Sequence, residues 1–277
     1  MKNILISTSL LILIAGNFCL GQDTLRLRPY FKELRVTDVT INGTAYTFLF
    51  DTGGGETFLS KNIADSLQKD VYGKVTGIRM NGEQLFYQKA DSIVLQVGKT
   101  TLLHPTIGVW NVMEVLPKEL PVVDGILSLK SFQNQILTID LHSNLLIIET
   151  EASFQLKKLK MRELPVRFVN GLNGIEKNIL VCIQGRQHRY WFLFDTGNIG
   201  PAILNKEIAA CTDLVNSTSG SSLNEFPTIF QSGSFKFAAT TTLDTILYDG
   251  ALNYQSLEQY IFTIDFKTER MWGKEIK

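Results

Sequence analysis

Residues 48–53 read Phe-Leu-Phe-Asp-Thr-Gly, and residues 192–197 of the same chain repeat all six letters. The agreement extends outward on both sides. Upstream, residues 39–43 resemble 181–185, and downstream, residues 59–64 resemble 204–209. Because an identical run of this length does not arise by accident in one chain, the repeat indicates an internal duplication.

A second block of sequence is duplicated as well. Asp124-Gly125 precedes a Thr-Ile-Asp triplet ending at Asp140, and Asp249-Gly250 precedes the same triplet ending at Asp265 at the same distance. Only the central stretch differs, being longer in the first copy. The pattern predicts two similar lobes, residues 22–155 and residues 156–277, with a polar joint at about 151–165.

Most of the chain has the pattern of short strands. The dipeptides Asn42-Gly43 and Asn81-Gly82 each separate strand-like runs, which is a strong signal for a two-residue hairpin turn. Short helices are predicted at residues 60–67 and 205–211, each beginning at a Ser or Asn cap. We therefore expect a mainly β protein.

Composition excludes several classes of function. Lys and Arg total 27, Asp and Glu total 27, and the formal net charge is +0, so no basic excess exists for holding nucleic acid. The three histidines are scattered and no Cys-x-x-Cys occurs, so no metal site is expected. No phosphate-binding glycine loop is present, and we expect no cofactor.

The first residues have the features of an export signal. Lys2 precedes an apolar run at residues 4–16, which is too short to span a bilayer, and small residues precede Gln22. We interpret residues 1–21 as a cleaved signal peptide. The protein would then be periplasmic or secreted, with no membrane span after cleavage. An N-terminal anchor helix and a lipoprotein attached through Cys19 are the alternatives.

Two cysteines remain after the signal segment, Cys182 and Cys211. In an oxidising compartment they would be able to pair. Two separate thiols are the alternative, because two cysteines in a chain of this size do not form a disulfide framework.

The repeated Asp-Thr-Gly points to acid–base chemistry. Each apolar Phe-Leu-Phe run predicts a strand buried on both faces, and such a strand delivers a carboxylate to its end. Two such loops, one from each lobe, would meet at the lobe interface. Two adjacent carboxylates do not both ionise readily, so the pair shares one proton. One group is then able to act as a general base and the other as a general acid.

On these motifs the chain resembles the aspartic peptidases of the retropepsin/pepsin type, in particular the two-lobed, single-chain bacterial members. The resemblance covers nearly all of the chain after the signal segment. It implies a β-barrel in each lobe, an active-site cleft between the lobes, and a peptide or protein substrate. For the repeated loops it implies a catalytic dyad (Asp51 and Asp195), interlocking hydrogen bonds (Thr52 and Thr196) and tight turns (Gly53 and Gly197).

The resemblance also implies a β-hairpin flap that closes over the substrate. Asn81-Gly82 is the best candidate for its tip, and Tyr87 or Tyr72 is the candidate flap aromatic. The alternative is an ordinary surface hairpin with a tyrosine facing the core. Asp124 and Asp249 are interpreted as turn residues before glycine rather than as further acids.

The sequence departs from the family pattern in two places. Gly54 and Asn198 follow the Asp-Thr-Gly triplets, where the family usually has Ser, Thr or Ala. Ser128 and Asn253 stand where the strand beside each catalytic loop usually has Gly. The first hypothesis is a monomeric aspartic endopeptidase inhibited by pepstatin-like compounds. The second is a non-catalytic, peptide-binding pseudopeptidase of the same fold, and the third is a purely structural envelope protein.

Overall fold

The computed structural model describes residues 22–171, 173–211, 214 and 225–276. The predicted signal peptide, residues 1–21, and the side chain of Cys211 lie outside the described residues, and Cys182 is buried. No helix in the described ranges is long and apolar enough to cross a membrane.

The first half of the chain is built mainly of strands. In chain order they are β1 (Asp23–Arg26), β2 (Arg28–Pro29), β3 (Arg35–Ile41), β4 (Thr44–Phe50), β5 (Phe58–Leu59), β6 (Tyr72–Ile78), β7 (Gln84–Val97), β8 (Thr100–Val109), β9 (Gly125–Leu127), β10 (Ile136–Asp140) and β11 (Leu145–Glu149).

The second half has the same character. Its strands are β12 (Arg162–Leu164), β13 (Val166–Val169), β14 (Asn178–Gln184), β15 (Arg189–Phe194), β16 (Ala202–Asn205), β17 (Glu225–Ser232), β18 (Phe235–Asp244), β19 (Gly250–Leu252), β20 (Tyr260–Asp265) and β21 (Arg270–Glu275). The prediction of a mainly β protein is therefore confirmed.

The helices of the described ranges are short. They are α1 (Lys61–Ser66), α2 (Glu151–Lys158), α3 (Lys206–Cys211) and α4 (Tyr254–Leu257), with 3₁₀ turns at Val112–Glu114 and Leu129–Phe132. The helices predicted at 60–67 and 205–211 are present as α1 and α3. The predicted polar joint forms α2, which begins at a reciprocal cap between Thr150 and Ser153, and then β12.

The sheets reproduce the duplication seen in the sequence. The first lobe has the strand order β2-β3-β4-β9-β5-β8-β7-β6, and the second has β13-β14-β15-β19-β16-β18-β17. The two orders correspond strand for strand, except that the first lobe adds β6. The longer central stretch of the first copy therefore accounts for an extra strand, which forms a hairpin with β7.

Asn42-Gly43 forms the predicted hairpin turn between β3 and β4, with φ of 47° and 81°. Positive φ at both central residues is the geometry that suits the twist of paired strands. The equivalent turn between β14 and β15 is longer, so the register aligns Val39 with Ile183 rather than with Val181, which the sequence match had paired with it.

Within each lobe, the strand that carries Asp-Thr-Gly lies in the middle of the sheet. β4 pairs in parallel with β9, and β15 pairs in parallel with β19. The Phe-Leu-Phe side chains are buried on both faces, with Phe48 and Phe192 fully inaccessible. Gly125 is required beside Phe48, because a Cβ there would lie 2.3 Å from the carbonyl oxygen of Phe58.

A third sheet joins the lobes. Its order is β1-β11-β10-β20-β21-β12, so its first three strands come from the first half of the chain and its last three from the second half. β10 and β20 pair antiparallel at the centre, where the hydroxyls of Thr138 and Thr263 lie 2.7 Å apart. These threonines occupy equivalent places in the duplicated sequence, so the approximate two-fold axis passes between them.

Candidate active site

The two Asp-Thr-Gly loops interlock at the base of the cleft. The hydroxyl of Thr52 donates to the carbonyl oxygen of Phe194 at 2.8 Å and accepts from the backbone N–H of Thr196 at 2.9 Å. In return, the backbone N–H of Thr52 donates to the hydroxyl of Thr196 at 3.1 Å. Both threonines are buried, so these bonds join the lobes away from water.

Each loop turns back onto its own carboxylate. The backbone N–H of Gly53 donates to Oδ1 of Asp51 at 2.9 Å. Oδ1 of Asp195 accepts from the N–H groups of Gly197 and Asn198 at 2.8 and 3.1 Å. These donors orient both carboxylates and partly offset the cost of burying them.

The glycines of the two loops permit the carboxylates to approach. A Cβ on Gly53 would lie 2.3 Å from Cγ of Asp195, and a Cβ on Gly197 would lie 2.6 Å from Oδ1 of Asp51. Each glycine therefore contacts the carboxylate of the opposite lobe, and any side chain there would displace it. The structure thus brings together all six of the predicted loop residues.

The electrostatics of the pair follow from this contact. Burial raises the pKa of Asp195, and the neighbouring charge of Asp51 raises it further. Burial also raises the pKa of Asp51, although the N–H of Gly53 and the hydrogen bond with Asp195 act in the opposite direction. The pair consequently holds one shared proton at pH values where an isolated aspartate is ionised.

A cavity of about 410 Å³ lies above the two carboxylates and is lined from both lobes. This volume falls in the range of pockets that hold small molecules or short peptide segments. The wall from the first lobe is mostly apolar, and Phe58, Tyr87 and Trp110 pack there edge to face, with centroid distances of 4.9 and 5.8 Å from Phe58.

The hairpin of β6 and β7 covers this cavity. Its tip is at Asn81-Gly82, as predicted, and the adjoining Met80 lines the cavity. The carbonyl oxygen of Met80 accepts from the backbone N–H of Leu247 in the second lobe at 2.9 Å. Of the two candidate flap aromatics, Tyr87 lines the cavity, whereas Tyr72 is exposed and donates to Asp91.

The departures from the family pattern leave the space between the carboxylates open. Ser128 caps the 3₁₀ turn that follows β9, and Asn253 caps α4. The side chain of Asn198 points to backbone carbonyls of Pro201 and Leu252, both at 3.5 Å. At Gly54 an added side chain would meet a carboxylate, since a Cβ there would lie 3.2 Å from Oδ2 of Asp51.

Asp124 and Asp249 hold the backbone, in keeping with their interpretation as turn residues. Oδ2 of Asp124 accepts from the N–H of Thr47 at 2.9 Å, and Oδ2 of Asp249 accepts from the N–H of Trp191 at 2.7 Å. Each carboxylate thereby fixes the start of the strand that runs beside a catalytic loop.

Sequence reasoning missed a buried ionic cluster next to the first loop. We call Glu56, Lys89 and Lys130 the Glu56 cluster: the carboxylate of Glu56 contacts the two ammonium groups at 2.5 and 2.8 Å. Burial and both lysines lower the pKa of nearby His104 to about 4, so its imidazole is neutral. Residues so far apart in the chain carry no shared motif that would have indicated this cluster.

Comparison with known proteins agrees with the geometry. A model of the aspartyl protease family matches residues 37–129, which contain the first catalytic loop, the hairpin and the Asp-Gly block. This match confirms the resemblance for the first lobe. The fold and the paired loops define a two-lobed protein of the pepsin-like class.

Two solved structures of seed proteins share the fold over nearly the whole chain. Basic 7S globulin from soybean has a TM-score of 0.58 at 9% identity, covering 92% of this chain and 95% of that chain. Conglutin gamma, a basic 7S globulin from lupine seeds, has a TM-score of 0.58 at 10% identity, covering 93% and 95%. No curated protein sequence matches the chain. The prediction of two pepsin-like lobes is thereby confirmed.

Proposed function

We propose that this protein is an aspartic endopeptidase in which Asp51 and Asp195 activate one water molecule. The observation that carries the proposal is the contact of each loop glycine with the opposite carboxylate, at the base of a cavity lined by both lobes. A structural role for two aspartates would not require their charges to be brought together, because that contact costs free energy.

The chemistry follows from the shared proton. The ionised carboxyl takes a proton from the water, whose oxygen attacks the carbonyl carbon of the scissile peptide bond. The protonated carboxyl donates to the carbonyl oxygen as the tetrahedral intermediate forms. The carboxyl that took the proton from water then gives it to the amide nitrogen, and the C–N bond breaks. A hydroxyl of the tetrahedral intermediate passes its proton to the other carboxylate as the new carboxyl group forms, so the pair again holds one proton. The chain itself supplies both proton-transfer groups.

The direct test replaces each aspartate separately. We expect Asp51→Asn and Asp195→Asn to lower kcat for peptide cleavage by at least about a thousand-fold, because each removes one of the two proton-transfer roles. Asp65→Asn, at an exposed carboxylate, is the matched control and should retain wild-type activity. Full activity in the Asp195→Asn variant would contradict the mechanism.

Gly54 favours a second candidate, a peptide-binding protein without catalysis. A serine hydroxyl at this position would be close enough to donate to Oδ2 of Asp51, and glycine has no such donor. Binding of a peptide in the cleft with no cleavage between about pH 3 and pH 8 would support this candidate. Inhibition of cleavage by a pepstatin-like compound would support the peptidase.

We also propose that the protein is exported and monomeric. The support for export is the sequence pattern of residues 1–21, and N-terminal sequencing of the protein isolated from its host should begin at Gln22. The support for a monomer is that one chain contributes both carboxylates and both walls of the cavity. Sedimentation velocity should give a single species with the mass of one chain.

A further inference from the structure

The two walls of the cavity differ in polarity although they derive from duplicated sequence. The strand register makes Leu34 equivalent to Asn178: Leu34 lies two residues before the partner of Leu49, and Asn178 lies two residues before the partner of Leu193. Both Leu34 and Asn178 line the cavity. An apolar position of the first lobe has therefore become an amide in the second.

The same change occurs before the Asp-Gly blocks. Val123 precedes Asp124 and is buried in an apolar cluster, whereas Tyr248 precedes Asp249 and lines the cavity. Glu176 lines the same cavity, and its charge acts on the Tyr248 hydroxyl. We call Glu176, Asn178 and Tyr248 the polar wall.

Glu176 is a carboxylate without a direct partner. Within the described residues its side chain accepts no hydrogen bond and forms no salt bridge, and Oε2 packs against the backbone of Gly171. Burial raises the pKa of Glu176, and the charge of Glu56 raises it further. A cation brought to this carboxylate would relieve an unfavourable burial of charge.

The lysines whose charges act on Glu176 do not supply that cation. Lys89 and Lys130 each contact one oxygen of Glu56, at 2.5 and 2.8 Å, and their side chains are 9% and 13% exposed. They lower the pKa of Glu176 only in part, because burial and Glu56 outweigh them. Lys177, the next residue in the chain, pairs with Glu269 instead.

The two other members of the polar wall add hydrogen-bonding groups. Asn178 is 4% exposed, and its side-chain oxygen has no hydrogen-bond partner among the residues that the structure describes. The hydroxyl of Tyr248 has no hydrogen bond within the described part of the chain, and its pKa is raised by burial and by the charges of Glu176 and Asp195. A carboxylate, an amide oxygen and a phenol together suit a group with several N–H donors.

We propose that the polar wall is a subsite for a lysine or arginine side chain of the peptide substrate, with Glu176 as the residue that determines this specificity. The apolar side chains of the first lobe that line the same cavity would hold a large apolar side chain. The protein would thus cleave peptides that combine an apolar residue and a basic residue near the scissile bond. This inference rests on the proposed function, because it assigns a substrate class to the same cleft.

The test uses matched peptides in which lysine or norleucine is moved through each of three positions on either side of a scissile Phe-containing bond. Norleucine keeps most of the aliphatic side chain and removes the ammonium group. At one position we expect kcat/KM to be about ten-fold to a hundred-fold higher for lysine, the range of a charge-assisted hydrogen bond. In Glu176→Gln the ratio of kcat/KM for the lysine peptide to that for the norleucine peptide should fall to near one. In Glu176→Lys, a peptide with glutamate at that position should be cleaved faster than the lysine peptide.

Glu275→Gln is the matched control, because it makes the same carboxylate-to-amide change at an exposed position on β21. It should keep the wild-type ratio of lysine to norleucine cleavage. A purely structural role for Glu176 would lower kcat/KM for both peptides equally and leave the ratio intact, and that result would overturn the inference.

Binding of the same peptides with a non-hydrolysable reduced bond separates the two proposals. If the peptides are cleaved without a lysine preference, the subsite is wrong and the peptidase stands. If no peptide is cleaved but the lysine form binds at least about ten-fold more tightly in a manner that requires Glu176, the peptidase is wrong and the subsite stands. Equal binding of both forms overturns the subsite whether or not cleavage occurs.

Discussion

At the scale of single residues, glycine has two different uses in this site. Gly53 and Gly197 are required by packing, because a side chain at either would collide with the opposite carboxylate. Gly54 is not confined in the same way: a Cβ there would meet Oδ2 of Asp51 at 3.2 Å, which asks for a shift of a few tenths of an ångström. A small side chain at position 54 would therefore fit beside Asp51 and would be able to change the pKa of its carboxyl group.

We expect Gly54→Ser to move the acidic limb of the pH–kcat/KM profile to lower pH by about one unit. The serine hydroxyl would donate to Oδ2 of Asp51, stabilise its ionised form and lower its pKa. Gly54→Ala adds the same Cβ without the hydroxyl and should leave the limb in place. Equal shifts in the two variants would show that sterics, rather than the hydrogen bond, set this pKa.

At the scale of elements, the Glu56 cluster ties three segments together. Glu56 directly follows the first catalytic loop, Lys89 lies on β7 and Lys130 lies in the 3₁₀ turn after β9. The cluster therefore links the loop to the base of the covering hairpin and to the strand that runs beside the loop. Removing one partner from a buried ion pair strongly destabilises the folded protein, since the remaining charges stay desolvated.

Glu56→Gln should lower the free energy of unfolding by about 3–5 kcal/mol, because it leaves two buried ammonium groups without a counter-charge. Urea denaturation monitored by tryptophan fluorescence measures this quantity. Asp65→Asn removes one partner of the exposed Lys61–Asp65 pair and should cost less than about 1 kcal/mol. Comparable losses in the two variants would argue against a structural role for the cluster.

At the scale of the whole molecule, docking of the two lobes brings two carboxylates into contact. The contact raises the pKa of Asp195, and the proposed chemistry uses the proton that the pair therefore holds. Asp51 and Asp195 lie far apart in the chain and meet only because the six-stranded sheet and the threonine bonds hold the lobes together. The folded pKa of Asp195 lies above its unfolded value. Its contribution to stability is consequently complete below the unfolded pKa and is lost as pH rises through the folded pKa.

Asp195→Asn should accordingly raise the Tm at neutral pH by about 2–4 °C, which corresponds to about 1 kcal/mol for a chain of this size. The amide oxygen retains the bonds from Gly197 and Asn198, and the variant has neither to bury a charge nor to take up a proton when it folds. The gain should vanish below about pH 4, where the wild-type carboxyl is protonated in the unfolded as well as in the folded protein. Calorimetric scans across this pH range measure the difference.

Asp38→Asn is the control with the opposite sign, because Arg28 lowers the pKa of Asp38 in an exposed ion pair. It should give no gain in Tm at neutral pH. If Asp195→Asn behaved in the same way, the two carboxylates would not repel each other in the folded protein.

Local sequence features account for much of the architecture. The turn at Asn42-Gly43 was predictable because only a few residues adopt positive φ, and the buried strands were predictable because apolar runs on both faces require burial. The duplication predicted two equivalent loops, since both copies have the same six residues at the end of an apolar strand. The register of the β14–β15 hairpin was not predictable, because it depends on the length of a turn without a strong signal.

The sequence by itself therefore determined the two lobes, the strands that end at Asp51 and Asp195, and the glycines that turn each loop. Only the tertiary structure decided that Glu56 contacts Lys89 and Lys130, and that Glu176, Asn178 and Tyr248 line the same cavity. The physical reason is the range of the interactions. Hairpins and buried strands follow from neighbouring residues, whereas contacts between charged or polar groups far apart in the chain depend on how distant segments pack together.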